Sequence, residues 1–185
     1  MSIIDYAGAK IHFSVKGDGN KIPLVLLHGF LEDSTIWKPM LKVLQRDRQV
    51  ICIDLPGHGK SDGISEVHSM DLMADVVWQV LEILEIQGVI IAGHSMGGYV
   101  SLELLKNFPM ILKSILLINS TPLEDSVEKK NEKFSFDQIP ERRKEWDKWG
   151  KEQHKHEKLT DRSIMYWLRE ENKPAWENIF KTTND

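Results

Sequence analysis

The stretch of sequence that decides the fold lies at residues 89–98 and reads Val89-Ile90-Ile91-Ala92-Gly93-His94-Ser95-Met96-Gly97-Gly98. It opens with an apolar run typical of a buried strand, and a helical pattern follows from Met96 to Phe108, before Pro109. A G-x-S-x-G sequence between a strand and a helix predicts a tight turn that exposes the serine oxygen above the sheet. Glycines on both sides of the serine allow the strand and the helix to approach closely. Ser95 is therefore the first candidate for a nucleophile.

Apolar runs and helical spacing extend this pattern through the first two thirds of the chain. The helical spacing predicts one helix around 37–44 and another that begins after an N-cap at Ser69. Residues 3–6 and 10–16, which precede the turn signal at 17–20, predict antiparallel edge strands. Strands alternating with helices favour an α/β fold with a doubly wound, mostly parallel sheet. Four runs rich in Val, Ile and Leu are predicted as its buried strands: 24–28, 49–54, 89–92 and 114–119.

Composition indicates an ordinary globular protein and argues against several partners. The 185 residues are 41% hydrophobic and 28% charged, with a formal net charge of −4. This charge gives no reason to expect nucleic acid or an anionic membrane as a partner. The single cysteine, Cys52, lies in an apolar run and predicts a small buried side chain rather than a reactive thiol. The N-terminus lacks a signal-peptide pattern and the apolar runs are short, so we expect a cytoplasmic location.

The chain divides into two unlike parts, a core at 1–123 and a segment at 124–185. Charged residues occupy 26 of the 50 positions from 124 to 173, yet four of the six tryptophans also lie beyond residue 124. The spacing of these tryptophans and their apolar neighbours predicts two or three amphipathic helices. We find no further strand in this segment. It is a charged, Trp-rich helical segment of unrecognised type.

Two further motifs follow the predicted strands that precede Ser95. His28-Gly29-Phe30 comes at the end of the strand 24–28, and a D-x-x-G-x-G-x-S sequence spans residues 54–61. Gly59-Lys60-Ser61 could suggest a phosphate-binding loop, but that motif requires a glycine where Asp54 stands. The phosphate-loop interpretation therefore fails.

Together these motifs resemble the N-terminal half of the α/β-hydrolase superfamily, in its serine esterase-like branch, over residues 1 to about 123. The three matching elements are the H-G-F loop, the D-x-x-G-x-G-x-S turn and the G-H-S-M-G-G turn. The resemblance implies Ser95 as the nucleophile of a nucleophile elbow, and the backbone N–H groups of Phe30 and Met96 as the oxyanion hole. It also implies that the 54–61 turn is structural, that the substrate is a small acyl or ester compound, and that no metal or organic cofactor is needed.

The remaining members of a catalytic triad are not identifiable in this sequence. In the family the order is serine, then an acid, then histidine, with the last two after strands for which we find no counterpart. The only histidines after Ser95 are His154 and His156, in a highly charged stretch, and they are weak candidates for the base. Asn119 occupies the place where a few relatives carry the acid. His28 and His58 are expected to hydrogen-bond to loop backbone instead.

Three hypotheses therefore compete for the function. The first is a hydrolase that cleaves an ester or related acyl bond through an acyl-enzyme. The second is a catalytically incompetent hydrolase fragment or fusion, in which an open sheet edge promotes self-association. The third is a non-enzymatic binding protein on the same scaffold, with amphipathic helices available for a partner. A serine-directed probe distinguishes the first hypothesis from the other two.

Overall fold

The computed structural model describes residues 2–65 and 67–120. The predicted helices of the segment 124–185 lie outside these residues. Short 3-10 turns at Ser34–Trp37 and Pro109–Ile111 lead into a helix and a strand, respectively. The strands and helices in chain order are β1 (Ser2–Tyr6), β2 (Ala9–Leu27), α1 (Lys38–Leu44), β3 (Arg48–Ile53), α2 (Met70–Ile83), β4 (Val89–His94), α3 (Met96–Asn107) and β5 (Leu112–Ile118).

The long strand β2 organises the sheet because it pairs with β1, β3 and β4. From residue 13 to residue 16 of β2, the paired residue in β3 moves back from Ile53 to Val50, so this half of β2 is antiparallel to β3. From residue 24 to residue 27 of β2, the paired residue moves forward from Val50 to Ile53, so the second half is parallel to β3. Ile53 thus faces both Phe13 and Leu27, and β3 lies between the two halves of one strand. The parallel strand β4 follows on the far side of the second half, and β5 pairs with β4.

The bend in β2 depends on two glycines that contact the chain just before β3. Gly17 has φ +77°, and a Cβ on it would lie 2.4 Å from the carbonyl oxygen of Arg48. A Cβ on Gly19 would lie 2.0 Å from the backbone of Asp47. The predicted strand at 10–16 is therefore present, but it is an inner part of β2 and not an edge strand. The turn signal at 17–20 bends β2 without ending it, because β3 pairs with both halves.

The core lies on both faces of the sheet, as a doubly wound α/β fold requires. Alternate residues of each strand point to opposite sides, so Val25 contributes to the layer beneath α2 and α3, and Leu26 to the layer beneath α1. Trp37 is fully buried in the second layer, beside Cys52. Burial raises the pKa of the Cys52 thiol to about 12, which agrees with the expectation of an inert buried cysteine. The predicted α/β architecture with a mostly parallel sheet is confirmed.

The helix bounds follow the local signals that predict them. The Oγ of Ser69 accepts a hydrogen bond from the N–H of Leu72 at 3.1 Å, which caps α2 at the predicted position. The predicted stop of α3 near Phe108 is correct within one residue, because Asn107 is its last helical residue. Within the described ranges, none of the helices has the length and apolar content that a membrane crossing requires.

Substitution of Ser69 by alanine tests the cap. We expect Ser69→Ala to lower the free energy of unfolding by about 1 kcal/mol, because one N–H of the first turn of α2 loses its acceptor. Ser69→Asp keeps an acceptor in the same place and should stay close to the wild type. Urea unfolding followed by circular dichroism measures both variants, and equal stability of the alanine variant would contradict the assignment.

Candidate active site

Ser95 lies at a strained turn between β4 and α3. Its backbone has φ +48° and ψ −112°, a conformation that side-chain-bearing residues adopt rarely. Its N–H donates to the carbonyl oxygen of Ile118 at 2.9 Å, and its carbonyl oxygen accepts from Gly98 at 2.9 Å. Ser95 is half-buried, whereas His94 and Met96 on either side are buried. The turn therefore presents Ser95 at the carboxyl end of β4, tied to the end of β5.

Three glycines around Ser95 let α3 approach the ends of the strands closely, and two of them do so against backbone atoms. A Cβ on Gly93 would lie 2.2 Å from the carbonyl oxygen of Gly97. A Cβ on Gly97 would lie 2.5 Å from the carbonyl oxygen of Leu27, at the end of β2. A Cβ on Gly98 would lie 2.2 Å from the Oγ of Ser120. Any larger residue would push α3 away from the sheet and change the conformation of the turn.

The loop after β2 carries Phe30 and adjoins this turn. A Cβ on Gly97 would also lie 2.7 Å from the carbonyl oxygen of His28, so the start of the loop contacts the start of α3. Phe30 is half-buried, and its ring meets that of His58 edge-on with 5.9 Å between the centroids. Leu31 follows with φ +64° and turns the chain back. The loop bearing Phe30 and the helix start at Met96 are thus neighbours, as an oxyanion hole would require.

A buried carboxylate, Glu32, joins this loop to the turn. Its Oε2 accepts the N–H of Gly29 at 2.6 Å and lies 2.9 Å from Nδ1 of His94. Because a carboxylate oxygen accepts, Nδ1 of His94 carries the hydrogen in this pair. The sequence analysis did not identify Glu32. Its one local signal is an acidic residue directly after Phe30 and Leu31, and this signal does not distinguish a buried carboxylate from an exposed one.

His28 is fully buried and uses both ring nitrogens. Nδ1 donates to the carbonyl oxygen of Gly29 at 2.8 Å, and Nε2 accepts the N–H of Leu55 at 2.9 Å. Burial, with a smaller contribution from the neighbouring His58, lowers the pKa of His28 to about 3. Nδ1 of His58 lies 2.9 Å from the carbonyl oxygen of Pro56. Both histidines hydrogen-bond to loop backbone, as the sequence predicts.

Asp54 connects the D-x-x-G-x-G-x-S turn to the loop after β2. Its Oδ1 accepts the N–H of Ser34 at 2.8 Å, and its Oδ2 accepts the N–H of Lys60 at 3.0 Å. The Oγ of Ser61 donates to the carbonyl oxygen of Asp54 at 2.6 Å. Gly59 has φ +58° and packs directly against the Asp54 carboxylate. These contacts agree with the structural role implied for the turn.

The structure gives no test of the weak base candidates. His154 and His156 lie outside the described residues. Asn119 lies directly after β5 with φ +46°. Within residues 2–65 and 67–120, no group of three or more His, Cys, Asp or Glu side chains is arranged to hold a metal ion.

A family model described as alpha/beta hydrolase fold matches residues 22–184. The match includes all three motifs and continues beyond residue 123, across most of the segment that the sequence analysis left unrecognised. A relative from Pseudomonas putida, the dihydrolipoyllysine-residue acetyltransferase component of an acetoin cleaving system, is 38% identical over 115 residues. That alignment covers 62% of this chain and 31% of the relative. The chain thus spans about a third of the length of this relative.

Two solved structures share the fold with moderate sequence identity. A thermophilic esterase from Thermogutta terrifontis aligns with a TM-score of 0.63 and 32% identity, covering 66% of this chain and 44% of the esterase. Est816, an N-acyl homoserine lactone degrading enzyme, aligns with a TM-score of 0.61 and 28% identity, covering 71% of this chain and 52% of Est816. In both alignments about half of the known protein has no counterpart in the aligned residues.

Alanine substitution at Gly97 tests the backbone contact beneath Ser95. We expect Gly97→Ala to lower the free energy of unfolding by about 1–3 kcal/mol, because the new methyl group meets backbone atoms that cannot rotate away. This loss should exceed the gain in helix propensity, which is about 1 kcal/mol or less. Gly88→Ala is the matched control, since its Cβ would meet only the flexible end of the Lys113 side chain. Equal stability of the two variants would contradict the contact.

Acid titration tests the burial of neutral His28. The folded pKa lies near 3 and the ordinary value is 6.5, so the unfolded chain binds a proton first as the pH falls. Protonation of His28 in the unfolded chain therefore lowers the free energy of unfolding as the pH falls from 6.5 towards 3, by up to about 1.4 kcal/mol per pH unit. Above pH 6.5 His28 is neutral in both states and this loss is absent. His28→Gln should show a shallower fall in unfolding free energy over this range. A His28 ring that titrates near pH 6.5 in an NMR experiment would contradict the prediction.

Proposed function

Because the chain belongs to the alpha/beta hydrolase fold family, we propose that it is a serine hydrolase that cleaves an ester or related acyl bond. Ser95 is its nucleophile, and the backbone N–H groups of Phe30 and Met96 form its oxyanion hole. The observation that carries this proposal is the strained backbone of Ser95, φ +48°, at a turn where three glycines bring a helix against the sheet. Such strain persists only where the surrounding structure imposes it, and it is common at active sites.

The proposed reaction has two acyl-transfer steps. The Ser95 oxygen attacks the carbonyl carbon of the substrate while a base takes its proton, and the carbonyl oxygen becomes negatively charged. The N–H groups of Phe30 and Met96 stabilise this oxyanion, and removal of one such donor typically costs about 10²–10³ in kcat. The tetrahedral intermediate expels the alcohol, which receives the proton, and leaves an acyl-enzyme. Water then attacks the acyl group, and the acid is released with Ser95 restored.

The base is the open part of the proposal. His28 is a poor candidate, because both of its ring nitrogens are engaged and its pKa is low. One ring nitrogen of His58 hydrogen-bonds to Pro56, and one ring nitrogen of His94 hydrogen-bonds to Glu32. His154 and His156 remain the candidates that follow Ser95 in the sequence. A serine without a base would retain little activity, since loss of the serine–histidine unit costs about 10⁶ in kcat.

The known proteins in the comparison support a small-molecule substrate with an acyl bond. Est816 degrades an acyl homoserine lactone and the Thermogutta protein is an esterase, and their alignments cover 71% and 66% of this chain. The cytoplasmic location and the division at residue 123 belong to the proposal as well, whereas self-association through an open sheet edge belongs to the alternative of an incompetent fragment. In the described part of the chain, β5 pairs with β4.

Labelling with a fluorophosphonate probe tests the proposal. The probe should modify the wild-type chain, and Ser95→Ala should reduce the labelling to background because the nucleophile is lost. Ser101→Ala is the matched control, since Ser101 lies on α3, the helix that follows Ser95, but is buried and donates to the carbonyl oxygen of Gly97. Absence of labelling in a folded wild-type sample would sink the catalytic proposal. It would favour a binding protein or an incompetent fragment instead.

The same assay tests the base candidates. We expect one of the variants His154→Gln and His156→Gln to label at least about 100-fold more slowly than the wild type, because general-base assistance contributes about 10²–10⁴ in rate. The other variant serves as its control. Undiminished labelling of the double variant would remove both histidines as candidates and would direct the search to other residues.

A further inference from the structure

Glu32 makes two hydrogen bonds through a single oxygen, and their partners lie next to the two parts of the proposed oxyanion hole. Oε2 accepts from Gly29, the residue before Phe30, and from His94, the residue before Ser95. We propose that Glu32 is a positioning residue, which sets the N–H groups of Phe30 and Met96 relative to each other through this shared oxygen. The inference rests on the proposed function, because it concerns the same oxyanion hole.

The two proposed donors belong to different parts of the fold, so their separation is not determined by local geometry. The N–H of Phe30 lies in an irregular loop, and the N–H of Met96 lies at the start of α3. Stabilisation of an oxyanion requires both donors at about 2.7–3.1 Å from one oxygen position. A direct tie between the loop and the turn is therefore needed, and in the described structure Glu32 provides one.

Hydrogen bonds hold the peptide unit that carries the Phe30 N–H from both sides. The Gly29 N–H donates to Glu32, and the Gly29 carbonyl oxygen accepts from His28. That carbonyl and the Phe30 N–H belong to one planar peptide unit, so fixing the carbonyl also fixes the direction of the N–H. Glu32 holds the backbone nitrogen of Gly29, just before this peptide unit, and so limits rotation of the unit about the Gly29 backbone.

Close packing around Gly29 explains why the loop has a glycine there. A Cβ on Gly29 would lie 2.9 Å from Oε2 of Glu32 and 3.0 Å from Nδ1 of His94. The positive φ of Leu31, +64°, turns the chain so that Glu32 returns beneath Gly29. The backbone N–H of Glu32 also donates to the carbonyl oxygen of Gly29 at 3.4 Å. The loop backbone is therefore shaped around the carboxylate.

The burial of Glu32 indicates that its carboxylate is there to accept the hydrogen bonds from Gly29 and His94. The residue is 7% exposed, and a buried carboxylate is costly unless hydrogen bonds compensate it. A purely space-filling role would need only a group of this size. A positioning role requires an acceptor oxygen at the place of Oε2, so the two roles separate when the oxygen is removed and the volume is kept.

The test compares two substitutions at Glu32 with a matched control in the full chain. Glu32→Met keeps the length of the side chain and removes the acceptor, whereas Glu32→Gln keeps one oxygen that can accept from both donors. Glu82→Met is the control, because Glu82 is exposed on α2. We expect fluorophosphonate labelling about 10–100-fold slower for Glu32→Met, within about threefold of wild type for Glu32→Gln, and unchanged for the control.

With a p-nitrophenyl ester as substrate, the loss should fall on kcat and leave KM nearly unchanged, because the oxyanion forms only in the transition state. A loss of kcat/KM that comes from a higher KM alone, with kcat unchanged, would overturn the proposal. Labelling of Glu32→Gln as slow as that of Glu32→Met would overturn it as well, since the retained oxygen would then have no effect.

Amide hydrogen exchange gives a second readout that needs no activity. Loss of one backbone hydrogen bond should speed exchange across residues 28–34 by about tenfold in Glu32→Met, while β4 keeps its protection. Wild-type exchange at residues 28–34 in that variant would overturn the positioning role. If the wild type fails to react with the probe, the proposed function fails, and the exchange result still decides whether Glu32 orders the loop.

A variant at His94, the second hydrogen-bond partner of Glu32, covers the case in which Glu32→Met does not fold. His94→Phe fills the same buried space and removes the second hydrogen bond to Oε2. We expect it to label about tenfold more slowly while Gly29 remains protected from exchange, because the loop keeps its own bond to Glu32 but loses its link to the turn. Labelling equal to that of the wild type would overturn the proposal.

Discussion

Backbone contact between the start of α3 and the ends of the strands is the constraint on which the rest of the structure depends. Gly93, Gly97 and Gly98 leave no room for side chains of their own between the helix and the sheet, and the carbonyl oxygen of Leu27 lies only 2.5 Å from where a Cβ of Gly97 would be. The chain must therefore reverse direction within one residue, and that residue is Ser95. Its φ of +48° is a consequence of this close approach. The same contact brings the ends of β2 and β4 together, so the loop after β2 lies beside the serine.

The loop after β2 has little regular structure and is held by buried polar groups instead. Glu32, Asp54 and His28 each accept a backbone N–H from a loop or turn, and each is nearly or fully buried. Main-chain groups in a buried loop need such partners, because leaving them unpaired costs about 1–3 kcal/mol each. The loop that carries Phe30 and the 54–61 turn are consequently tied together by side chains from both stretches of sequence. This arrangement is consistent with a site whose backbone donors must stay in place.

The elements of the described fold were largely predictable, because their signals are local. The apolar run at 49–54 corresponds to Arg48–Ile53 with a shift of one residue, and the cap at Ser69 marks the start of α2. The bend of β2 at 17–20 was not predictable, because glycines and polar residues in that pattern also form ordinary turns. Insertion of β3 between the halves of β2 decides the outcome, and that pairing joins residues 26 to 40 positions apart in the chain.

The sequence by itself determined the strand–turn–helix at Ser95 and three short motifs, and the family resemblance of those motifs implied the roles of Phe30, Met96 and the 54–61 turn. These features depend on residues that are close together in the chain, and local patterns are visible in a sequence. Only the tertiary structure decided the place of Glu32, which meets His94 across 62 positions of sequence. A glutamate in a loop is exposed in most proteins, and its burial here depends on how the turn after β4 packs against it. Hydrogen-bond partners that distant are chosen by folding of the whole sheet, so no local pattern could identify them.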